Sequence, residues 1–118
     1  MNGNAMNVRA DELEYPVLFL QKDVFTVRLA PPVGIASQGL LVDRRGLAWN
    51  VLAYDDRTRQ IACDGPSVQL TAEQVRQKVS WLVSARGHFE SSVGFGLPAA
   101  LQDAETVEQV ILTLKGMH

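Results

Sequence analysis

The segment Leu70-Thr71-Ala72-Glu73-Gln74-Val75, with the apolar pattern running from it to Arg86 and Gly87, constrains this chain more than any other. Thr71 is placed to act as N-cap and Gln74 to return the bond from N3, the spacing of a capping box. Leu70 and Val75 have the N′ and N4 spacing of a hydrophobic staple. Val75, Val79, Leu82 and Val83 form one apolar stripe. Arg86 suits the negative end of the helix dipole, and Gly87 suits the left-handed residue that closes many helices. The spacing therefore predicts a helix over about 71–86 with one buried face.

Upstream of that helix the pattern is that of strands. Val17 to Leu20 is a continuous apolar run, Gln21-Lys22-Asp23 a polar break, and Val24 to Leu29 alternates. Two strands around a short polar turn predict a β-hairpin. Leu40 to Val42, Leu47 to Tyr54 and Gln60 to Cys63 follow, joined by the turns Asp43-Arg44-Arg45-Gly46 and Asp55-Asp56-Arg57-Thr58. Short strands linked by short turns predict an antiparallel meander. In the longest strand Leu47, Trp49, Val51 and Ala53 share one face, and Ala48, Asn50, Leu52 and Tyr54 the other.

A second helix is expected from about Ala104 to Lys115, with Asp103 as its N-cap and Val107, Val110, Ile111 and Leu114 as its buried stripe. The segment His88 to Phe95 reads as a further strand or as a link broken by Gly94-Phe95-Gly96. Sequential strands followed by helices define an α+β fold. The expectation is an antiparallel sheet of four to five strands over about residues 16–64, with two helices, about 71–86 and 104–115, packed on one face. Residues 1–14 are polar and are expected to form a flexible tail ahead of a single domain over 15–118. They have neither the basic n-region nor the apolar h-region of a signal peptide. A second methionine, Met6, leaves open whether residues 1–5 are native.

Charge and composition narrow the function classes. The formal charge is −2, from 11 Lys and Arg against 13 Asp and Glu. The Arg44-Arg45 and Arg57-Thr58-Arg59 turns fall at opposite ends of a meander, so no phosphate-tracking stripe forms and no nucleic-acid partner is expected. No apolar run approaches the length needed to span a bilayer, so no membrane partner is expected either. A single cysteine, Cys63, is consistent with a reducing, cytoplasmic setting, and the reading is of a soluble, bacterial-type protein.

No catalytic, cofactor or metal constellation stands out. His88, Glu90 and Ser92 share one face of a strand, but neighbours two apart lie ~6–7 Å apart, too far for a triad. Cys63 reads as a small buried hydrophobe; the helix start at Thr71 is close in sequence and His88 could lie close in space, either of which would lower a thiol pKa, but no motif accompanies them. Asp11-Glu12-x-Glu14, Asp55-Asp56 and Asp103-x-Glu105 lack calcium-loop spacing. Gly94-Phe95-Gly96 lacks the rest of a phosphate-loop motif.

The feature left over is Trp81, roughly 120° around the helix from the buried stripe, in line with Gln77 and Ser84. Tryptophan is a common anchor in protein interfaces. The proline- and glycine-bearing connection 30–39 adds Val33 and Ile35 as residues that either pin the loop or meet a partner. The expectation is therefore a non-enzymatic binding or regulatory module. It would act through a protein partner or as a homodimer, through Trp81, Gln77, Ser84, Val33 and Ile35, with no cofactor and no metal. Two alternatives stand beside it. One is a small-molecule pocket between loop 30–39 and the 94–98 break. The other is an enzyme built on Cys63 or His88.

Overall fold

The computed structural model describes residues 5–21, 24–30, 38–55, 57–85 and 99–117. The fold is α+β. Its strands are β1 (Ala5–Arg9), β2 (Val17–Leu20), β3 (Phe25–Arg28), β4 (Gly39–Val42), β5 (Leu47–Asp55), β6 (Gln60–Asp64) and β7 (Val68–Gln69). The helices are α1 (Ala72–Ala85), the single turn α2 (Ala99–Gln102) and α3 (Val107–Met117). All strands join one antiparallel sheet in the order β1-β6-β5-β4-β2-β3, with β7 paired to β5.

The expected hairpin and meander are both present. β2 pairs with β3 and β4-β5-β6 run in sequence, while β4 returns to the far side of β2 rather than to β3. The continuous apolar run of β2 is explained by burial on both faces: all four of its residues are buried. Leu18 and Leu20 point to one core, with Phe25, Val42, Ala48, Val75, Val79, Val107, Val110, Ile111 and Leu114. That core joins the sheet to α1 and α3, which lie on one face as the sequence pattern anticipates. Val17 and Phe19 point to a second core, with Leu41, Trp49, Val51, Ile61 and Cys63.

Over residues 5–14 the second core corrects the reading of 1–14 as a flexible tail. Residues 5–9 form β1, an outer strand paired with β6, and a 3₁₀ turn follows at Ala10–Glu12. Val8, Ala10, Leu13 and Tyr15 pack onto the second core. Only the intervening Arg9, Asp11 and Glu12 are exposed, and Arg9 pairs with Asp11 at 3.2 Å. The polar residues set the composition while the apolar ones between them do the packing. The sheet is accordingly larger than the four to five strands expected.

The turn at 43–46 ties the layers together. Asp43 is fully buried. Its Oδ1 accepts from the backbone N–H groups of Arg45 (2.9 Å) and Leu47 (3.3 Å). Its Oδ2 accepts from the Glu14 N–H (3.3 Å) and the Arg45 Nε (2.9 Å), and Arg45 Nη2 closes a fork on the same oxygen. An ionised carboxylate is acceptor-only, and here both oxygens are engaged. Alongside, the exposed Arg44 guanidinium pairs with Glu14 and holds its carboxyl below the usual carboxylate range.

Gly46 completes this knot. Its φ is +89°, and an added Cβ would lie 2.4 Å from the Leu70 carbonyl oxygen and 3.2 Å from Val107 Cγ2. Its own carbonyl accepts the Leu70 N–H at 2.8 Å. The Gln69 side chain donates to the Arg45 carbonyl at 2.7 Å. The chain therefore passes from β6 through β7 into α1 while pressed against this turn.

Both long helices open on the same device. Thr71 Oγ1 accepts the Gln74 N–H at 3.1 Å, and Gln74 Oε1 accepts the Thr71 N–H at 2.9 Å. At α3, Thr106 Oγ1 accepts the Gln109 N–H at 3.1 Å, and Gln109 Oε1 accepts from Thr106 and Glu105. The second helix thus starts at Val107, not Ala104, and Asp103 belongs to the turn after α2. A reciprocal box satisfies more orphan donors than a single aspartate. The apolar stripe of the second helix is as expected. The expected stop of the first, at Arg86 and Gly87, lies outside the described residues.

Two substitutions test the knot. Asp43→Ala leaves buried N–H donors without an acceptor and is expected to cost about 2–4 kcal/mol in urea unfolding. Gly46→Ala meets both the positive φ and the backbone contact and is expected to cost at least about 2 kcal/mol by the same measurement. An unchanged midpoint for either variant would remove this turn from the stabilising core.

Candidate functional site

Of the residues that the sequence grouped, the structure describes the side chain of Gln77 alone. Gln77 is exposed on α1 and borders two shallow clefts. One, of about 260 Å³, is shared with Leu70, Gln74 and Lys78. The other, of about 270 Å³, is shared with Glu73, Arg76 and Ser80. Trp81 and Ser84 lie on the same helix, four and seven residues beyond Gln77. Their side chains are outside the described residues, as are Val33, Ile35 and His88. The candidate pocket between loop 30–39 and residues 94–98 falls largely there too.

The helix face next to Gln77 is partly committed to structure. Arg76, half-buried, reaches across to donate to the Ala104 carbonyl at 2.5 Å. It thereby clamps α1 to the turn that leads into α3. Gln74 serves the N-terminal box. Gln77 and Lys78 are exposed polar side chains on this stretch.

Cys63 is a core residue. It is fully buried in the second core, and its Sγ donates to the Ile61 carbonyl at 3.6 Å. Burial pushes its thiol up to about 11, from a reference of 9.0. A group protonated at neutral pH and closed off from solvent does not act as a nucleophile. Tyr15 behaves similarly. Its hydroxyl donates to the Ala10 carbonyl at 2.9 Å, and burial, with Tyr54 and Asp11 nearby, raises it to about 12. Among the described residues no group of three His, Cys, Asp or Glu side chains is placed to hold a metal ion. Among them, too, no helix is long and apolar enough to cross a membrane.

One surface was not evident from the pattern. The strict alternation of β5 ends at a bulge between Val51 and Ala53. Up to Val51 the expected faces hold: Trp49 and Val51 point into the second core and Ala48 into the first. The extra residue then reverses the assignment, so that Ala53 faces outward and Tyr54 packs against the second core. Leu52 and Ala53 emerge side by side on the helix-side face of the sheet, beyond the region that α1 and α3 cover. Leu52 is 44% exposed. Across the strands the same surface continues through Ala62 and Gln60 to Asn7, and a cleft of about 190 Å³ opens among Asn7, Ala53, Tyr54, Asp55, Gln60 and Ala62. The available signal was the run Leu52-Ala53-Tyr54, three apolar residues at the end of an alternating strand.

Comparison with protein-family models, with curated proteins and with solved structures yields no match.

The buried thiol and the half-buried phenol give a pH dependence of defined sign. Each has a folded pKa above its unfolded value, so the unfolded chain releases its proton first. The contribution is complete below pH 9 and is lost between pH 9 and about 11 for Cys63, and between pH 10 and about 12 for Tyr15. Urea midpoints are expected to be flat from pH 7 to 9 and to fall above it. In a Cys63→Ala background the first part of that fall should vanish. Native Cys63 should also resist a thiol reagent until the chain unfolds.

Proposed function

We propose that this protein is a non-enzymatic binding or regulatory module that works through protein contacts or self-association. The observation that supports this most is the exposed pair Leu52 and Ala53, turned outward together at the bulge of β5. A sheet face with apolar residues at its middle and Asn7, Asn50 and Gln60 around them has the composition of a contact surface with a polar rim. The fate of the polar core residues supports the same reading. Asp43 is consumed in holding a turn, and Cys63 is protonated and enclosed.

The surface that motivated this function from sequence was the Trp81 face of α1, and it stays within the proposal as a second contact region. Gln77, exposed beside two shallow clefts, is its described part.

The test is a pull-down from native extract with tagged chain, paired with light scattering on the purified protein. Leu52→Arg should leave the fold intact, since surface changes of this kind usually alter stability by about 0.5 kcal/mol or less, and should abolish capture of a protein partner. Leu112→Arg, at a leucine of similar exposure on α3 (45%), should leave it unchanged. Trp81→Ala measures the share of the helix face. If both Leu52→Arg and Trp81→Ala capture a partner as wild type does, the reading of these two surfaces as contact regions fails.

A further inference from the structure

β1 forms one edge of the sheet: among the described residues it pairs with β6 alone. Which of its backbone groups face outward follows from the ladder. Ala10 N–H donates to the Arg59 carbonyl at 2.8 Å, one step beyond the Arg9–Gln60 pair. Hydrogen bonding alternates along an antiparallel pair. Ala10, Val8 and Met6 therefore bond toward β6, and Arg9, Asn7 and Ala5 aim their N–H and C=O groups away from it. The Arg9 N–H confirms this direction, because it is met by Glu12 Oε1 at 3.1 Å. Asn7 at the strand centre and Ala5 at its start have no such side-chain cap among the described hydrogen bonds.

Edge strands are usually protected by charge, proline or a bulge. β1, Ala5-Met6-Asn7-Val8-Arg9, has a single charge at one end, no proline and unbroken register. It is also self-complementary. Placing a two-fold axis through Asn7 pairs Asn7 with Asn7 of a second copy, Met6 with Val8, and Ala5 with Arg9. The outward groups at Asn7 then bond reciprocally. Met6, 43% exposed, and Val8 come together on the side of the second core. On the opposite side each Arg9 stands one strand beyond the Ala5 position of the second copy, and the next residue in that row is Asp64. Two strand spacings are ~9.6 Å, within reach of an extended arginine side chain, and both Arg9 and Asp64 are exposed. The symmetry supplies this opposite-charge pairing twice.

From this register we infer that the protein self-associates by antiparallel β1–β1 pairing about Asn7, making one continuous sheet across two copies. The inference rests on the reading of the protein as a contact module and specifies the self-association mode. The occupant of the edge is a second copy, because the charges and apolar pairs match under two-fold symmetry. A five-residue seam is small beside standard interfaces, so the dimer is weak and dissociates on dilution. Glu12 must swing off the Arg9 N–H for the outermost bond to form.

Sedimentation equilibrium on the full chain tests this. The wild type should show a concentration-dependent monomer–dimer equilibrium. Asn7→Pro removes an outward N–H without touching the bonds to β6 and should give monomer only. Arg9→Glu and Asp64→Arg should each weaken the dimer roughly tenfold, and the double variant should recover most of it. Asn7→Cys should oxidise to a covalent dimer, since directly opposed residues lie ~5.5 Å apart, within disulfide reach. Leu52, two strands from the seam, should not matter to this equilibrium. A chain that stays monomeric at all concentrations overturns the inference. So does a dimer broken by Leu52→Arg but indifferent to Asn7→Pro and the charge reversals. A monomer that still captures a protein partner through Leu52 overturns the β1 pairing and leaves the module reading standing.

Discussion

The Asp43 carboxylate is the interaction on which the arrangement of this protein depends. A charged group removed from water is costly unless its hydrogen bonds are replaced, and here the replacements come from three places in the chain. Glu14 belongs to the N-terminal segment, Arg45 to the turn itself, and Leu47 to the start of β5. One side chain therefore fixes where the N-terminal segment crosses the sheet and how tightly β4 turns into β5. Gly46, forced into the left-handed region beside it, passes the constraint on to Leu70 and so to the start of α1. The helix layer is oriented from the turn below it as well as by its own apolar stripe.

Much of this was legible in the sequence, because local physics and tertiary packing agree over most of the chain. The hairpin 17–28, the meander 40–64 and the box at Thr71–Gln74 are all encoded within a few residues of where they act. What escaped was encoded at a distance. The role of β1 is invisible without β6, since Val8 and Ala10 are apolar residues scattered among charges until a neighbouring strand gives them a side to face. Asp43 reads as an ordinary turn aspartate until Glu14 is brought alongside. The start of α3 was a different kind of miss. Asp103 is a good cap by type, but Thr106-Val107-Glu108-Gln109-Val110 repeats the pattern Thr71-Ala72-Glu73-Gln74-Val75, and the better cap lies three residues on.

The candidate site shows the same division. Trp81 drew notice because a helix makes its face predictable from spacing alone. Leu52 and Ala53 did not, because a bulge is one residue of mismatch between two strands and leaves little mark on either. A lone cysteine at the end of a strand reads as a small buried hydrophobe, and Cys63 is buried in the second core with a raised thiol pKa. Val33, Ile35 and His88 fall outside the described residues, so of the surface expected from sequence the structure describes only the side chain of Gln77.

β2 is buried on both sides along its whole length. It is a wall common to two rooms, with Leu18 and Leu20 facing the helices and Val17 and Phe19 facing the N-terminal segment. Neither core can be repacked without moving the backbone that the other leans on. The two are therefore mechanically one body, and a change in volume on the helix side is transmitted across a single strand thickness to Trp49 and Cys63.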